Sequence, residues 1–209
     1  IAGVTLKNPV TTASGTFGSG REYGELIDLN RLGAITVKGV SEEAWKGNSV
    51  LRVAETQDGL LNSIGLQNAG AKHFIENDIP FLRQYDTKII VNICGHTLAQ
   101  YCSVAEKFAD CDIDLLELNI SCPNVEEGGL SFGTDPHIVE RIVGAVRHYA
   151  KQPLIVKLSP EVSDITEIAK AAVSGGADAI SLINTLRGMK IDIHKRKPVL
   201  ANRIGGYSG

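Results

Sequence analysis

The sequence predicts a (β/α)8 TIM barrel of the α/β class, of which roughly six βα units are visible. Short β-rich runs alternate with amphipathic segments along the whole chain, an order that favours a parallel sheet flanked by helices. Polar residues gather where the predicted strands end, whereas the strand interiors carry almost none. Because barrel enzymes assemble their active sites at the carboxyl ends of the strands, this distribution indicates an enzyme.

The predicted elements follow from hydrophobic patterning and local stop signals. The predicted strands are residues 10–13, 34–40, 88–94, 115–121, 154–158 and 179–184, and the predicted helices are residues 23–30, 98–110, 136–149 and 164–174. The last helix has Ser163 or Asp164 as its N-cap and ends at Gly175-Gly176. Residues 50–66 interrupt the order with an edge-strand pattern and the turn Gln57-Asp58-Gly59, which predicts a β-insertion.

A single domain over residues 1–209 is predicted, because no linker or change of composition divides the chain. Six strands do not close an eight-stranded barrel of roughly 250 residues, so we expect the C-terminal strands to be missing from this sequence. Residues 1–6 are expected to be part of a strand that begins before residue 1. Residues 204–209 are expected to be a loop that leads to another element. An open doubly wound sheet is the alternative architecture, although Gly15 to Gly20 does not match the dinucleotide fingerprint.

Composition and charge argue against several classes of partner. The formal net charge of -3, without a basic stripe, gives no support to nucleic-acid or polybasic membrane binding. No apolar run approaches the roughly 20 residues of a membrane span, and no signal-peptide pattern begins the chain. The cysteines lack C-x-x-C spacing, which disfavours a metal site and fits a reducing cytoplasm.

Cys122 is the candidate catalytic residue. It follows an apolar strand pattern within Asn119-Ile120-Ser121-Cys122-Pro123-Asn124 and precedes a Gly-Gly loop. A thiol becomes a good base or nucleophile after a modest fall in its pKa, and Pro123 would end the strand so that Cys122 lies at its exit. The alternative is a buried, unreactive cysteine at a strand end.

Lys38 and Lys157 each end an apolar strand pattern that would draw the side chain inward. A buried lysine requires an anionic partner, either a neighbouring carboxylate or a bound anion such as a phosphate, a carboxylate substrate or an anionic reduced flavin. No carboxylate ends a predicted strand as these lysines do; the nearest candidate is Glu117, which lies inside the fourth predicted strand. Five asparagines near strand ends favour a planar ligand rich in amide groups, such as a flavin or a pyrimidine: Asn62, Asn92, Asn119, Asn124 and Asn184.

Short motifs in order along the chain carry a specific resemblance. They are Thr12-Ala13-Ser14-Gly15-Thr16, Thr36-Val37-Lys38-Gly39, Asn62-Ser63-Ile64-Gly65-Leu66-Gln67-Asn68, Asn119-Ile120-Ser121-Cys122-Pro123-Asn124, Ile155-Val156-Lys157-Leu158 and Ile183-Asn184-Thr185. Together they resemble the dihydroorotate dehydrogenases, FMN enzymes of pyrimidine synthesis. The cysteine at position 122 resembles class 1, since class 2 enzymes carry serine there. Residues 184–198 and 205–209 are similar to class 1B.

The resemblance implies oxidation of (S)-dihydroorotate to orotate, in which Cys122 removes the C5 proton and hydride passes from C6 to N5 of FMN. Electrons would then reach NAD through a partner iron-sulfur flavoprotein subunit carrying FAD and a 2Fe-2S cluster, in a heterotetramer of two subunits of each kind. A reaction like that of dihydropyrimidine dehydrogenase and a catalytically silent barrel fragment are the alternatives.

The resemblance also implies a residue set for each ligand. FMN would contact Ser14, Gly15, Lys38, Gly39, Asn92, Asn119, Lys157, Ile183 and Gly209. The substrate would contact Lys38, Asn62, Ser63, Ile64, Gly65, Leu66, Asn119, Asn124, Asn184 and Thr185. The loop at residues 125–132 would be a lid that excludes water during proton transfer.

Overall fold

The computed structural model describes residues 1–121 and 132–209. Its strands are β1 (Ala34–Thr36), β2 (Val53–Glu55), β3 (Leu60–Asn62), β4 (Lys88–Ile93), β5 (Leu115–Asn119), β6 (Leu154–Lys157), β7 (Ala179–Ser181), β8 (Leu186–Gly188), β9 (Ile191–Asp192), β10 (Lys197–Pro198) and β11 (Gly205–Ser208). Its α-helices are α1 (Arg21–Gly24), α2 (Gly70–His73), α3 (Ile79–Leu82), α4 (Leu98–Phe108), α5 (Pro136–Tyr149) and α6 (Ile165–Ser174).

The main sheet is parallel and has the order β1-β4-β5-β6-β7. Neighbours in this sheet follow one another along the chain, with the β2–β3 insertion as an excursion after β1. A doubly wound sheet would reverse its strand order at a switch point, and this sheet does not. Consecutive strands of a (β/α)8 barrel are neighbours in the same way, so the described strands form part of such a barrel.

The two faces of the sheet differ in chemistry. One face packs against α4, α5 and α6 in the main apolar core, and each of these helices begins at an N-cap side chain, namely Thr97, Asp135 and Asp164. The other, inner face begins with an apolar layer made by Ala34, Ile90, Leu115 and Ile155, covered by residues near the N-terminus. Because side chains alternate along a strand, the residues two positions further on continue this face, and they are polar: Thr36, Asn92, Glu117, Lys157 and Ser181.

A second, antiparallel sheet has the order β2-β3-β11-β8. It confirms the predicted β-insertion, because β2 and β3 pair around the turn that contains Gly59. Residues 204–209 were expected to be a loop, and that expectation is wrong: β11 pairs with β3 on one side and with β8 on the other. The chain after β7 therefore extends the β2–β3 insertion, to which it adds the strands β11 and β8.

Other local predictions also need correction. Residues 10–13 do not form a strand, since Thr11 makes only a single parallel bridge to Ala34. Residues 1–6 contain a turn closed by Val4 N donating to Ile1 O, not a strand. The predicted helix at 23–30 is reduced to α1 and a 3-10 turn at Leu29–Arg31. The sequence did not predict α2 and α3, which a π-helical turn at Phe74–Asp78 joins.

Candidate functional site

Lys38 and Lys157 lie close to each other at the carboxyl ends of β1 and β6. Burial lowers the pKa of Lys38, the nearby Cys94 raises it, and the positive charge of Lys157 lowers it. Lys157 Nζ donates a hydrogen bond to Ser14 Oγ at 3.3 Å. Across the part of the chain that the structure describes, neither lysine forms a salt bridge with a carboxylate.

The loop that follows Thr12 closes over this lysine pair. A Cβ atom on Gly15 would lie 3.3 Å from Lys38 Nζ, so the loop backbone passes directly beside the ammonium group. Lys38 N donates to Gly18 O at 2.9 Å, which explains why the predicted strand at 34–40 is interrupted after β1. Ser14, Gly15, Lys38 and Lys157, which the resemblance assigns to FMN, thus lie together in the structure.

Asn92 is buried on the inner face of β4, beneath Gly39. A Cβ atom on Gly39 would lie 2.9 Å from Asn92 Oδ1, so a side chain at that position would displace the Asn92 amide. Asn92 Nδ2 donates to Glu117 Oε1 at 2.6 Å, and Ser181 Oγ donates to Glu117 Oε2 at 2.9 Å. The sequence did not assign Glu117 to the site, although its place two residues before Asn119 on one strand face was a usable signal.

Asn119 and Asn184 meet at the same rim. Asn184 Nδ2 donates to Asn119 Oδ1 at 3.3 Å, and Thr185 N donates to Asn184 Oδ1 at 2.8 Å. Asn184 N donates to Leu158 O at 3.0 Å, which holds the chain after β7 beside the end of β6. The carbonyl of Asn119 accepts from Tyr101 Oη at 2.5 Å. These bonds fix two amide side chains at the ends of β5 and β7, on either side of β6.

The antiparallel sheet brings Asn62 to this group. Asn62 Nδ2 donates to Gly206 O at 3.3 Å, and a Cβ atom on Gly206 would lie 2.0 Å from Thr185 Oγ1. Only glycine therefore allows β11 to pass between Asn62 and Thr185. Asn62, Thr185, Asn184 and Asn119 form a continuous polar run from the insertion to the main sheet.

The segment after Asn62 lies next to the lysine-bearing strand. Asn48 Nδ2 donates to Ser63 O at 3.2 Å, and Gly65 has a left-handed φ of 75°. A Cβ on Gly39 would lie 3.5 Å from Leu66 Cδ2, so Leu66 reaches the backbone beside Lys38. Of residues 63–66, Leu66 therefore lies beside the backbone next to Lys38.

Some predicted site residues are not brought into this arrangement. Gly209 lies against Asp58 O and Gly59 at the β2–β3 turn, rather than among the strand ends. Ile183 is 43% exposed beside Asn184. Cys122, Asn124 and residues 125–131 of the predicted lid lie outside the described residues.

Cys94 is a site residue that the sequence did not predict. It is fully buried at the end of β4, close to Lys38. Its position two residues after Asn92 places it on the same strand face, a signal that could have identified it.

No helix within residues 1–121 and 132–209 is both long and apolar enough to cross a membrane. The same residues contain no group of three or more histidine, cysteine, aspartate or glutamate side chains placed to hold a metal ion.

Comparison with known proteins gives a consistent result. The family model described as dihydroorotate dehydrogenase matches residues 1–209. Relatives named dihydroorotate dehydrogenase B (NAD(+)), catalytic subunit, are 70% identical in Alkaliphilus metalliredigens and 69% identical in Alkaliphilus oremlandii, over 100% of this chain and 69% of each relative. A protein of the same name in Lachnoclostridium phytofermentans is 63% identical over 100% of this chain and 70% of the relative.

Proposed function

Because the chain belongs to the dihydroorotate dehydrogenase family, we propose that it is an FMN-dependent catalytic subunit that oxidises dihydroorotate to orotate in pyrimidine biosynthesis. The observation that carries the proposal is the pairing of Lys38 with Lys157 on the inner face of the sheet, without a carboxylate salt bridge among the residues the structure describes. Two partly buried ammonium groups this close together favour an anionic ligand between or beside them.

The residues around this pair fit a planar, anionic cofactor. Gly15 and Gly39 bring backbone close to the lysine, and Asn92 and Asn119 offer amide groups on the same face. FMN, when bound, supplies the acceptor for the hydride that leaves C6 of the substrate. The proposed FMN-binding residues of this arrangement are Ser14, Gly15, Lys38, Gly39, Asn92, Asn119 and Lys157. Ile183 and Gly209 lie outside it and are assigned to FMN on the family resemblance alone.

The polar run from Asn62 to Asn119 fits the substrate. Orotate and dihydroorotate present a carboxylate and ring amides, which amide side chains and backbone groups can match. The ammonium of Lys38 supplies a positive charge for the substrate carboxylate. The proposed substrate-binding residues are Lys38, Asn62, Ser63, Ile64, Gly65, Leu66, Asn119, Asn124, Asn184 and Thr185.

We assign Cys122 as the general base that removes the C5 proton. It follows Asn119, the last residue of β5, by three positions in the sequence. A cysteine must be ionised before it can accept a proton, and positive charge favours the ionised form; the lysine pair supplies positive charge at the rim. The glycine-rich residues 125–132 are assigned as a lid that excludes water.

Electron transfer beyond this chain is assigned to a second protein. The relatives are named as catalytic subunits of NAD(+) enzymes, which supports a separate electron-transfer subunit. We assign to that partner FAD and a 2Fe-2S cluster, in a cytoplasmic heterotetramer with two subunits of each kind. The FMN-loaded catalytic subunit alone should reduce an artificial dye but not NAD, and NAD reduction should require the partner. Efficient NAD reduction by the catalytic subunit alone would contradict this assignment.

The proposed reaction is tested directly with the FMN-loaded enzyme under anaerobic conditions. Addition of dihydroorotate should bleach the oxidised flavin and release an equal amount of orotate. Dihydrouracil, which lacks the carboxylate, should leave the flavin oxidised and serves as the matched control. Bleaching by dihydrouracil but not by dihydroorotate would instead support a reaction like that of dihydropyrimidine dehydrogenase, and failure to bind FMN would support a catalytically silent module.

A further inference from the structure

Glu117 is a buried carboxylate on the inner face of β5, with a residue exposure of 6%, and the proposed reaction does not use it. Its two oxygens have different partners. Oε1 accepts from Asn92 Nδ2 at 2.6 Å, and Oε2 accepts from Ser181 Oγ at 2.9 Å. Because Asn92 lies on β4 and Ser181 on β7, a single carboxylate connects three strands of the barrel wall.

This contact determines how the Asn92 amide is oriented. The nitrogen of a side-chain amide can only donate, and its oxygen can only accept. With Nδ2 bound to Glu117, Oδ1 is directed to the side of Gly39, where a Cβ atom would lie only 2.9 Å away. Asn92 therefore presents an acceptor, not a donor, next to the strand end that carries Lys38.

We propose that Glu117 is a positioning residue for the flavin: it holds Asn92 with its acceptor turned toward the cofactor and holds Ser181 at the end of β7. The inference rests on the proposed function, which places Asn92 in the FMN site. An acceptor at this point selects an N–H group of the ligand, and the isoalloxazine ring carries such a group between its carbonyls. Glutamine has the same shape as glutamate but carries no charge, so it would hold the Asn92 amide by a weaker, neutral hydrogen bond.

The test measures FMN binding, by fluorescence titration of flavin-free enzyme, in a double-mutant cycle. Glu117→Gln should weaken FMN binding about tenfold, because the charge-assisted hydrogen bond that orients Asn92 becomes a neutral one. Asn92→Ala should weaken binding at least as much. If Glu117 acts through Asn92, the double variant should bind FMN within about twofold of Asn92→Ala alone.

Thr87→Val is the matched control for lost stability. Thr87 is buried just before β4, and its hydroxyl donates to Leu32 O at 3.0 Å, at the opposite end of the strand from Gly39. The variant should lower the melting temperature and leave the FMN dissociation constant unchanged. If Glu117→Gln behaves in the same way, Glu117 is merely structural and the inference is wrong.

The failure of this inference can be told apart from failure of the proposed function. Unchanged FMN affinity in Asn92→Ala would remove Asn92 from the cofactor site and overturn this inference, whereas the proposed function fails only if dihydroorotate does not reduce the bound flavin. Weakened FMN binding in Asn92→Ala with normal FMN binding in Glu117→Gln would overturn the positioning role alone. The same conclusion would follow if the losses of FMN binding free energy in the two single variants simply added up in the double variant. Should Glu117→Gln not fold, Glu117→Asp retains the charge but is too short to reach both partners. Glu117→Asp should weaken FMN binding in the otherwise unsubstituted protein but should cause no further loss when Asn92→Ala is already present.

Discussion

Asn184 Nδ2 donates a hydrogen bond to Asn119 Oδ1 at 3.3 Å, and this bond joins the chain after β7 to the end of β5, across β6. Asn119 is also continuous with the motif that contains Cys122. Two of the amides that we assign to the substrate are therefore joined to each other, and Asn119 precedes the proposed base by three positions in the sequence. The proposed mechanism leads to four predictions about individual side chains.

Cys122→Ala should lower turnover of dihydroorotate by about 10² to 10⁴, because general base catalysis contributes a factor of this size. FMN content should be unchanged, and Cys122→Ser should retain more activity than Cys122→Ala. Cys102→Ala, on the outer helix α4, is the matched control and should be fully active. Steady-state oxidation at saturating substrate measures the effect, and a near-normal rate in Cys122→Ala would exclude the thiol as the base.

Lys157→Ala should weaken FMN binding by about tenfold or more, because a charge-assisted contact to an anionic ligand is lost. Flavin reduction by dihydroorotate should also slow, as measured by stopped-flow absorbance. Lys151→Ala is the control, since Lys151 is exposed and pairs with Asp110. Equal flavin affinity and reduction rates in the two variants would show that Lys157 has only a structural role.

Lys38→Met should stabilise the flavin-free protein at neutral pH while weakening ligand binding. Burial, the first cause of the shift, lowers the pKa of Lys38 below the ordinary lysine value of about 10.4. The unfolded chain then binds the proton more tightly than the folded chain, so the charged side chain costs stability below its folded pKa. This cost falls as the pH rises through the folded pKa and disappears above the unfolded pKa.

The measurement is the difference in melting temperature between Lys38→Met and the unsubstituted protein as a function of pH. The stabilisation should be largest near neutral pH and should shrink toward pH values of about 10. Lys195→Met, at an exposed turn, should show no such trend. A difference that grows with pH would contradict the assignment of a lowered pKa.

Gly206→Ala should destabilise the protein by about 1 to 3 kcal/mol and raise the KM for dihydroorotate, because its Cβ would overlap Thr185. Gly144→Ala is the control. Gly144 is exposed on α5, and the nearest atom to an added Cβ would be Gly175 O, 3.7 Å away. That change should add about 0.5 to 1 kcal/mol of stability without affecting KM. Chemical denaturation and steady-state kinetics measure the two effects.

The long periodic elements could be predicted from the sequence, because their patterns repeat over many residues. The predicted boundaries of α5 are those observed, and α6 begins one residue after its predicted N-cap, Asp164. The α2–α3 segment escaped prediction because Gly70 and Pro80 read as helix breakers and a π-helical turn breaks the 3.6-residue period. The segment Gly205–Ser208 has weak β-propensity and becomes a strand only because β3 and β8 supply partners.

The sequence by itself determined where the parallel strands lie along the chain and the kinds of side chain at their carboxyl ends, since both depend on local patterns along each strand. The order of the strands in the sheet, which excludes a doubly wound arrangement, came from the tertiary structure. Only the tertiary structure decided which of these side chains meet. The contacts of Glu117 with Asn92 and Ser181 join residues 25 and 64 positions apart. Such pairs depend on strand register and on the curvature of the sheet, and a one-residue shift in register would turn each side chain to the opposite face.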